Sequence, residues 1–223
     1  CRPGRARGAA YACWKTYPLL ARDLDGTTAS GPFEARLAAE AMPGRENHVY
    51  SPAFTEGDFR AVVKACDHVV FNSPAQVARF AARARRRGVS PGLRVNPLYS
   101  EVEHAIYNPC APDSRLGTPR AYVTDETVAA VDGLHFHALC EQGADVFARV
   151  LERFEAAFGA FLPKMTWVNF GGGHHITRVG YDIRLLVSTL KAFRRRWPHL
   201  EVYLEPGEAV ALNAGTLVAS VLE

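Results

Sequence analysis

Apolar residues along the chain alternate between two habits. Short runs rich in Val, Leu, Phe and Tyr are each followed by a longer stretch in which apolar positions recur every three or four residues. The first habit predicts strands at 23–28, 48–51, 68–72, 92–96, 133–137, 167–170 and 202–205. The second predicts helices at 33–41, 59–65, 75–87, 144–158 and 183–197. Repeated βα alternation of this kind builds a parallel sheet, either closed into a barrel or open and doubly wound. Polar or glycine residues stand just past many of the strands. That favours the barrel, because an open sheet gathers its site at one switch point. Seven strands are one short of the eight a barrel needs, and the missing one belongs at the N-terminus. The proline-rich segment 97–132 predicts an excursion across the barrel mouth.

Composition leaves this picture intact and narrows the function. With 48% hydrophobic and 22% charged residues in a 223-residue chain, an ordinary globular core is expected. The net charge is only +3. The basic clusters at 83–87 and 194–196 end helix-like stretches, where cations complement the helix dipole, so they read as solvated helix ends and no nucleic-acid partner is expected. Five scattered cysteines without a CxxC pair argue against a disulfide framework or a zinc site. No apolar run reaches membrane-spanning length, so the expectation is a cytoplasmic protein with no membrane partner.

The chemistry concentrates at two strand ends. Asn169-Phe-Gly-Gly-Gly-His-His-Ile176 closes one strand, and Glu205-Pro-Gly-Glu208 closes the next. Consecutive glycines let the backbone approach an anion and turn its N–H groups toward it. Adjacent histidines on extended chain point apart and lack a carboxylate at ligand spacing, so His174 and His175 do not predict a metal site. Arg94, on a strand that reads as buried, needs an anion, which is either a cofactor or a structural partner. Asp25 carries the same alternatives on its own strand. Cys140 and Glu141 follow His137 and are expected to line the mouth, with a small buried hydrophobe the equal alternative for Cys140.

Five ordered motifs resemble one family. They are Leu24-Asp-Gly-Thr-Thr-Ala-Ser30, Ser114-Arg-Leu-Gly117, Leu134-His-Phe-His-Ala-Leu-Cys-Glu-Gln142, Gly171-Gly-Gly-His-His-Ile-Thr177 and the stretch from Glu205 to Gly215. Together they are similar to the carboxynorspermidine (carboxyspermidine) decarboxylases, pyridoxal-phosphate-dependent enzymes of the alanine racemase type. The resemblance implies a (β/α)8 TIM-like barrel followed by a β-domain. It also implies a homodimer and removal of a carboxylate from a carboxylated polyamine in spermidine or norspermidine biosynthesis. By the same resemblance Glu205 faces the cofactor's ring nitrogen, His137 stacks on its ring, and Gly171, Gly172 and Gly173 hold its phosphate. Ser114 and Arg115 support the mouth, Arg94 and Asp25 are each either a cofactor contact or half of a structural ion pair, and Glu208 either meets the substrate's ammonium groups or makes a structural pairing. The ornithine-type decarboxylases have arginine in place of Glu208, which disfavours an ornithine or diaminopimelate substrate.

One element of the pattern is missing. Enzymes of this type hold the cofactor as a Schiff base on a first-strand lysine, and Tyr11-Ala-Cys-Trp14 matches the residues that follow it, which puts Ala9 at the lysine position. None of Lys15, Lys64, Lys164 and Lys191 stands there. Residues 1–10, with their Arg, Gly and Pro content, read as an aberrant or disordered terminus ahead of a barrel domain at 11–223. The expectation is therefore a barrel without an intact first strand and without its β-domain: a fragment with little activity, exposed strand edges and a tendency to aggregate. A non-catalytic cofactor-binding protein that partners an active homologue is the alternative.

Overall fold

The structure is a computed structural model that describes residues 12–216 and 218–221 together with the backbone of residues 5–9. Tyr11 and the side chain of Ala9 lie outside the described residues. In chain order the elements begin β1 (Arg5–Ala9), α1 (Tyr17–Leu20), β2 (Gly26–Ala29), α2 (Pro32–Ala41) and β3 (Glu46–Tyr50). They continue through α3 (Glu56–Val62), β4 (His68–Phe71), α4 (Pro74–Arg85) and β5 (Ser90–Asn96). The excursion carries β6 (Thr118–Pro119) and α5 (Asp125–Ala129). Alternation resumes with β7 (Gly133–His135), α6 (Ala144–Phe158), β8 (Trp167–Asn169), α7 (Ile183–Arg196), β9 (Glu201–Leu204) and α8 (Gly207–Ala211).

All the strand pairings are parallel, and they close on themselves. The ring runs β1-β2-β3-β4-β5-β7-β8-β9 and returns to β1, with β6 an appendage on β5. Such a ring of eight strands alternating with helices is a (β/α)8 barrel. The first-strand position, for which residues 1–10 predicted no apolar strand, is filled by backbone: Arg7, Gly8 and Ala9 pair with Gly26, Thr27 and Thr28, and Arg5 and Ala6 pair with Tyr203 and Leu204. The expectation of two open edges is corrected accordingly. Backbone hydrogen bonding does not depend on apolar side chains, so an Arg/Gly/Ala segment pairs here.

Local signals start the helices as they should. Thr55 and Asp58 form a reciprocal capping box on α3, Ser73 caps α4, Thr124 caps α5 and Asp182 caps α7. Pro32 and Pro74 occupy first-turn positions that need no N–H. Alternation along the strands sends one set of side chains outward to the helices and the other into the barrel. Phe136 and Phe170 point outward and meet Phe147 and Phe154 of α6, while Phe193 of α7 packs on Phe170. Each such buried side chain contributes roughly 1.5–3 kcal/mol. Inside the barrel, His48 and His68 stack at 3.9 Å and meet Trp167 and Tyr203 in T-shaped contacts. Trp167 occupies the space that side chains at Gly92 and Gly133 would take, so both strands need glycine there.

Candidate active site

At the C-terminal ends of the strands the barrel opens into a cavity of about 370 Å³. Thr28, Tyr50, Arg94, His135, His137 and Glu205 line it, and Tyr107 and Pro109 of the excursion cover it, as the proline-rich segment predicted.

Glu205 is the best-held group in the cavity. Its carboxylate accepts a 2.6 Å hydrogen bond from Asn169 Nδ2, and His135 Nε2 lies 3.7 Å from the other oxygen. The same Asn169 accepts from the Gly171 N–H through Oδ1 at 2.9 Å, and Glu205 N–H donates to the Gly171 carbonyl at 2.8 Å. One strand end thus sets the position of both the carboxylate and the glycine loop.

The glycine loop is compact because it must be. Gly171 and Gly173 have φ of +66° and +82°. A side chain at Gly171, Gly172 or Gly173 would collide with backbone of Phe136, Glu205 or Leu139 respectively. Positive φ at alternate residues forms the concave run of N–H groups that suits an anion.

Burial and the neighbouring Arg94 hold the His137 imidazole down to about 3, so it is neutral at ordinary pH. The Gly172 N–H approaches its Nδ1 at 3.4 Å, consistent with an unprotonated nitrogen there. Burial, then Arg94 and His137, lowers His135 as well. Arg94 itself is buried, donates to the His137 carbonyl at 3.0 Å and lies 4.5 Å over the Tyr50 ring. No carboxylate among the described residues pairs with it. Of the two partners the sequence left open, the structural ion pair is absent among the described residues. Burial raises the Tyr50 phenol, against the pull of Arg94, and its hydroxyl donates to Asn72.

His174 and His175 diverge, as extended chain requires. His174 stacks on Phe147 at 5.2 Å and meets the Tyr181 hydroxyl at 2.7 Å, and burial holds it to about 4. His175 Nε2 contacts Glu208 Oε2 at 2.6 Å, and Thr177 Oγ1 donates to the Ala209 carbonyl, so this loop clamps α8 against the mouth. Glu208 is half exposed at the rim. Burial, with Glu141 and Glu208 nearby, raises the Cys140 thiol. Cys140 and Tyr107 are shared with a second cavity of about 630 Å³, whose lining includes Glu101, Glu103 and Glu141.

Two expectations are settled by placement. Ser114 and Arg115 brace the mouth: Leu116 N–H donates to Ser114 Oγ, and Asn72 donates to the Arg115 carbonyl while accepting from Gly117 N–H. Asp25 is corrected. It sits exposed in the turn before β2, at the barrel end away from the cavity, because β2 starts at Gly26. It is not placed to touch a ligand in the mouth. Thr28, Tyr50, His135 and Asn169 were not singled out from sequence, although each sits at an inward-facing position near a strand's end. The buried Thr28 Oγ1 has no hydrogen-bond partner among the described residues. The ligand atoms of His135, His137 and Glu205 also lie close enough together to hold a cation, as do those of Glu46, His48 and His68 deeper in the barrel.

Comparison with known proteins agrees with this geometry. The carboxynorspermidine/carboxyspermidine decarboxylase of Campylobacter jejuni is 44% identical over 205 residues, covering 92% of this chain and 53% of that protein. The resemblance to that family holds. The carboxyaminopropylagmatine decarboxylase of Synechocystis is 38% identical, covering 95% of this chain and 54% of that protein. The crystal structure of carboxynorspermidine decarboxylase from Campylobacter jejuni, complexed with norspermidine, superposes with a TM-score of 0.83 at 40% identity, over 93% of this chain and 53% of that one. A diaminopimelate decarboxylase from Helicobacter pylori, at 15% identity and a TM-score of 0.71 over 94% of this chain and 58% of that one, shares the fold. No protein-family model matches the chain. The chain spans about half the length of the curated relatives it matches.

Proposed function

We propose that this chain is the cofactor-holding barrel of a pyridoxal-phosphate-dependent decarboxylase acting on a carboxylated polyamine, with carboxynorspermidine and carboxyspermidine the leading substrates. The observation that carries this reading is Arg94, a buried cation at the barrel mouth with no carboxylate partner among the described residues, facing a cavity that also holds a fixed carboxylate, to which Asn169 ties the glycine loop. A buried charge without a partner costs several kcal/mol, so an anionic ligand is what this position is built for.

The residues fit the phosphate and ring of pyridoxal phosphate. The loop from Gly171 to Gly173 turns its backbone toward the phosphate, with the Gly171 and Gly172 N–H groups directed to Asn169 and His137 in the ligand-free chain and the Gly173 N–H left to the ligand. Glu205 keeps the ring nitrogen protonated, with Asn169 and His135 holding the carboxylate in place. His137 packs on the ring as a neutral imidazole, adding no charge beside Arg94. When bound, the cofactor supplies an electron sink for the pair left by departing carbon dioxide. The residues do not fit its carbonyl. None of the chain's lysines lines the cavity, and Ala9, the register partner of Thr28, stands at the lysine position.

On the substrate side, Glu208 at the rim and the carboxylates of the adjoining cavity suit ammonium groups. The names of the relatives, a carboxynorspermidine/carboxyspermidine decarboxylase and a carboxyaminopropylagmatine decarboxylase, share a carboxylated polyamine-like amine and support that class. A homodimeric assembly and a cytoplasmic location belong to the same proposal. The absence of the lysine favours a second reading, in which this chain binds the cofactor without turning over.

Equilibrium dialysis with pyridoxal phosphate, followed by borohydride treatment and mass analysis, tests both readings. The chain should bind the cofactor reversibly and gain no borohydride-stable mass. The Ala9→Lys variant should gain one cofactor per chain. Absence of cofactor binding by both proteins would overturn the proposal. Carbon dioxide release by a lysine-bearing, full-length version, compared across carboxynorspermidine, ornithine and diaminopimelate, tests the substrate.

A further inference from the structure

A third cavity, of about 410 Å³, lies between α3 and α4 on the outer wall, toward the barrel end away from the mouth. Its lining is Phe59, Arg60, Val63 and Lys64 from one side and Arg83, Arg86 and Arg87 from the other. The nearby acidic groups are already engaged. Both oxygens of Glu56 accept from Arg79 and Arg83 at 2.9–3.1 Å. Asp58 is held in the capping box with Thr55, and Asp132 pairs with Arg85. Among the described residues, the side chains of Arg60, Lys64, Arg86 and Arg87 have no hydrogen-bond or ion-pair partner.

Helix-end electrostatics do not account for this cluster. A cation at the end of α4 complements a dipole worth about half a charge, which Arg83 and Arg85 already face. Arg60 and Lys64 come from a different element and converge on the same cleft. Four unpaired cations there exceed the whole chain's net charge of +3, so positive potential is concentrated at one concave surface. Like charges brought together repel, and an anion spanning them removes that repulsion.

We propose that this cleft binds a small oligophosphate, either an inorganic phosphate chain or the phosphates of a nucleoside triphosphate, through Arg60, Lys64, Arg86 and Arg87. The volume suits a small molecule. Phe59 is buried beneath Arg83, 4.8 Å from its guanidinium, and offers no open face for a base to stack on. Recognition is therefore of phosphates, and a single-stranded nucleic acid lacks the aromatic platform it uses elsewhere.

Isothermal titration of the full chain in low salt, using inorganic tripolyphosphate, ATP and a short oligouridylate separately, tests the site. Tripolyphosphate and ATP should each bind once per chain and weaken as salt rises. Equal affinities identify the phosphate chain as the whole determinant, and tighter ATP binding points to the nucleotide as the source. Lys64→Glu with Arg86→Glu should weaken binding about tenfold or more, because each lost phosphate contact removes counterion release as well as attraction. Lys64→Gln with Arg86→Gln should weaken it less and melt like the parent, since neither side chain has a hydrogen-bond or ion-pair partner among the described residues. Lys191→Gln, a change on α7 away from the cleft, should leave the titration unchanged. The proposal fails if no saturable binding of tripolyphosphate or ATP appears, if the charge reversals leave affinity intact, or if only the oligonucleotide binds.

Discussion

Replacing Arg94 with methionine separates the need for a ligand from the need for a fold. In the free protein the guanidinium contributes one charge-assisted hydrogen bond to the His137 carbonyl, worth about 1.5–3 kcal/mol. Its position over the Tyr50 ring adds about 1 kcal/mol. Against these stands the effective cost of burying an unpaired charge, several kcal/mol. Methionine keeps most of the apolar stem's volume and adapts to irregular space. The terms nearly cancel, so Arg94→Met should change the stability of the ligand-free chain by no more than about 1 kcal/mol in either direction. Ligand binding behaves differently. At a concentration a hundredfold above its dissociation constant, pyridoxal phosphate should stabilise the parent chain by about 2.7 kcal/mol, and the variant should lose most of that increment. Urea unfolding with and without the cofactor measures all four numbers. If the variant lost about 3 kcal/mol without ligand and kept the full increment with it, Arg94 would be a structural residue and the argument from its missing partner would be refuted.

Two further outcomes follow from the interior. Gly133→Ala places a methyl group inside the Trp167 ring and should destabilise the chain by about 1–3 kcal/mol, a loss that Trp167→Leu relieves in the double variant; independent, additive losses in thermal melts would contradict the packing. Stability should also fall with acidity. His137 and His174 have folded pKa values lowered by burial to about 3 and about 4 from 6.5, so below pH 6.5 the unfolded chain takes up protons that the folded chain refuses. Their stabilising contribution is complete above 6.5 and declines as pH falls toward 4. Between 6.5 and 5.5 the histidines dominate, because carboxylates with an ordinary value near 4.5 scarcely titrate there. A urea midpoint flat across that window, or one whose slope is unchanged in His137→Gln, would contradict the burial argument.

Much of the barrel could be read from the chain because each strand and helix carries its own periodic signal. The helix over 144–158 falls where its apolar spacing put it. What could not be read depended on contacts between segments distant in sequence. Asp25 looked like a strand residue because Leu24 and Gly26 flank it, but the ladder begins one residue later and leaves it in a solvent-facing turn. Asn169 reads as an ordinary polar strand end. Only the register of β8 beside β9 shows that it holds Glu205 and Gly171 together. His48 and His68 stack because their strands pair residue for residue, a relation that twenty intervening positions conceal. The first strand was the opposite failure. Side-chain composition argued against it, and backbone pairing on both sides formed it.

That distinction bears on what the missing lysine removes. The groups expected to hold the cofactor are positioned by strand register and by one another: Glu205 by Asn169 and His135, the glycine loop by Asn169 and the backbone of β7 and β9, and Arg94 by the His137 carbonyl. None of these contacts passes through residue 9, whose backbone pairs with Thr28. Geometry that does not depend on a side chain survives its replacement. On the proposed reading, binding of the phosphate and ring is therefore separable in this barrel from the covalent step that turnover needs. A single substitution at residue 9 should restore attachment without rebuilding the rest of the mouth.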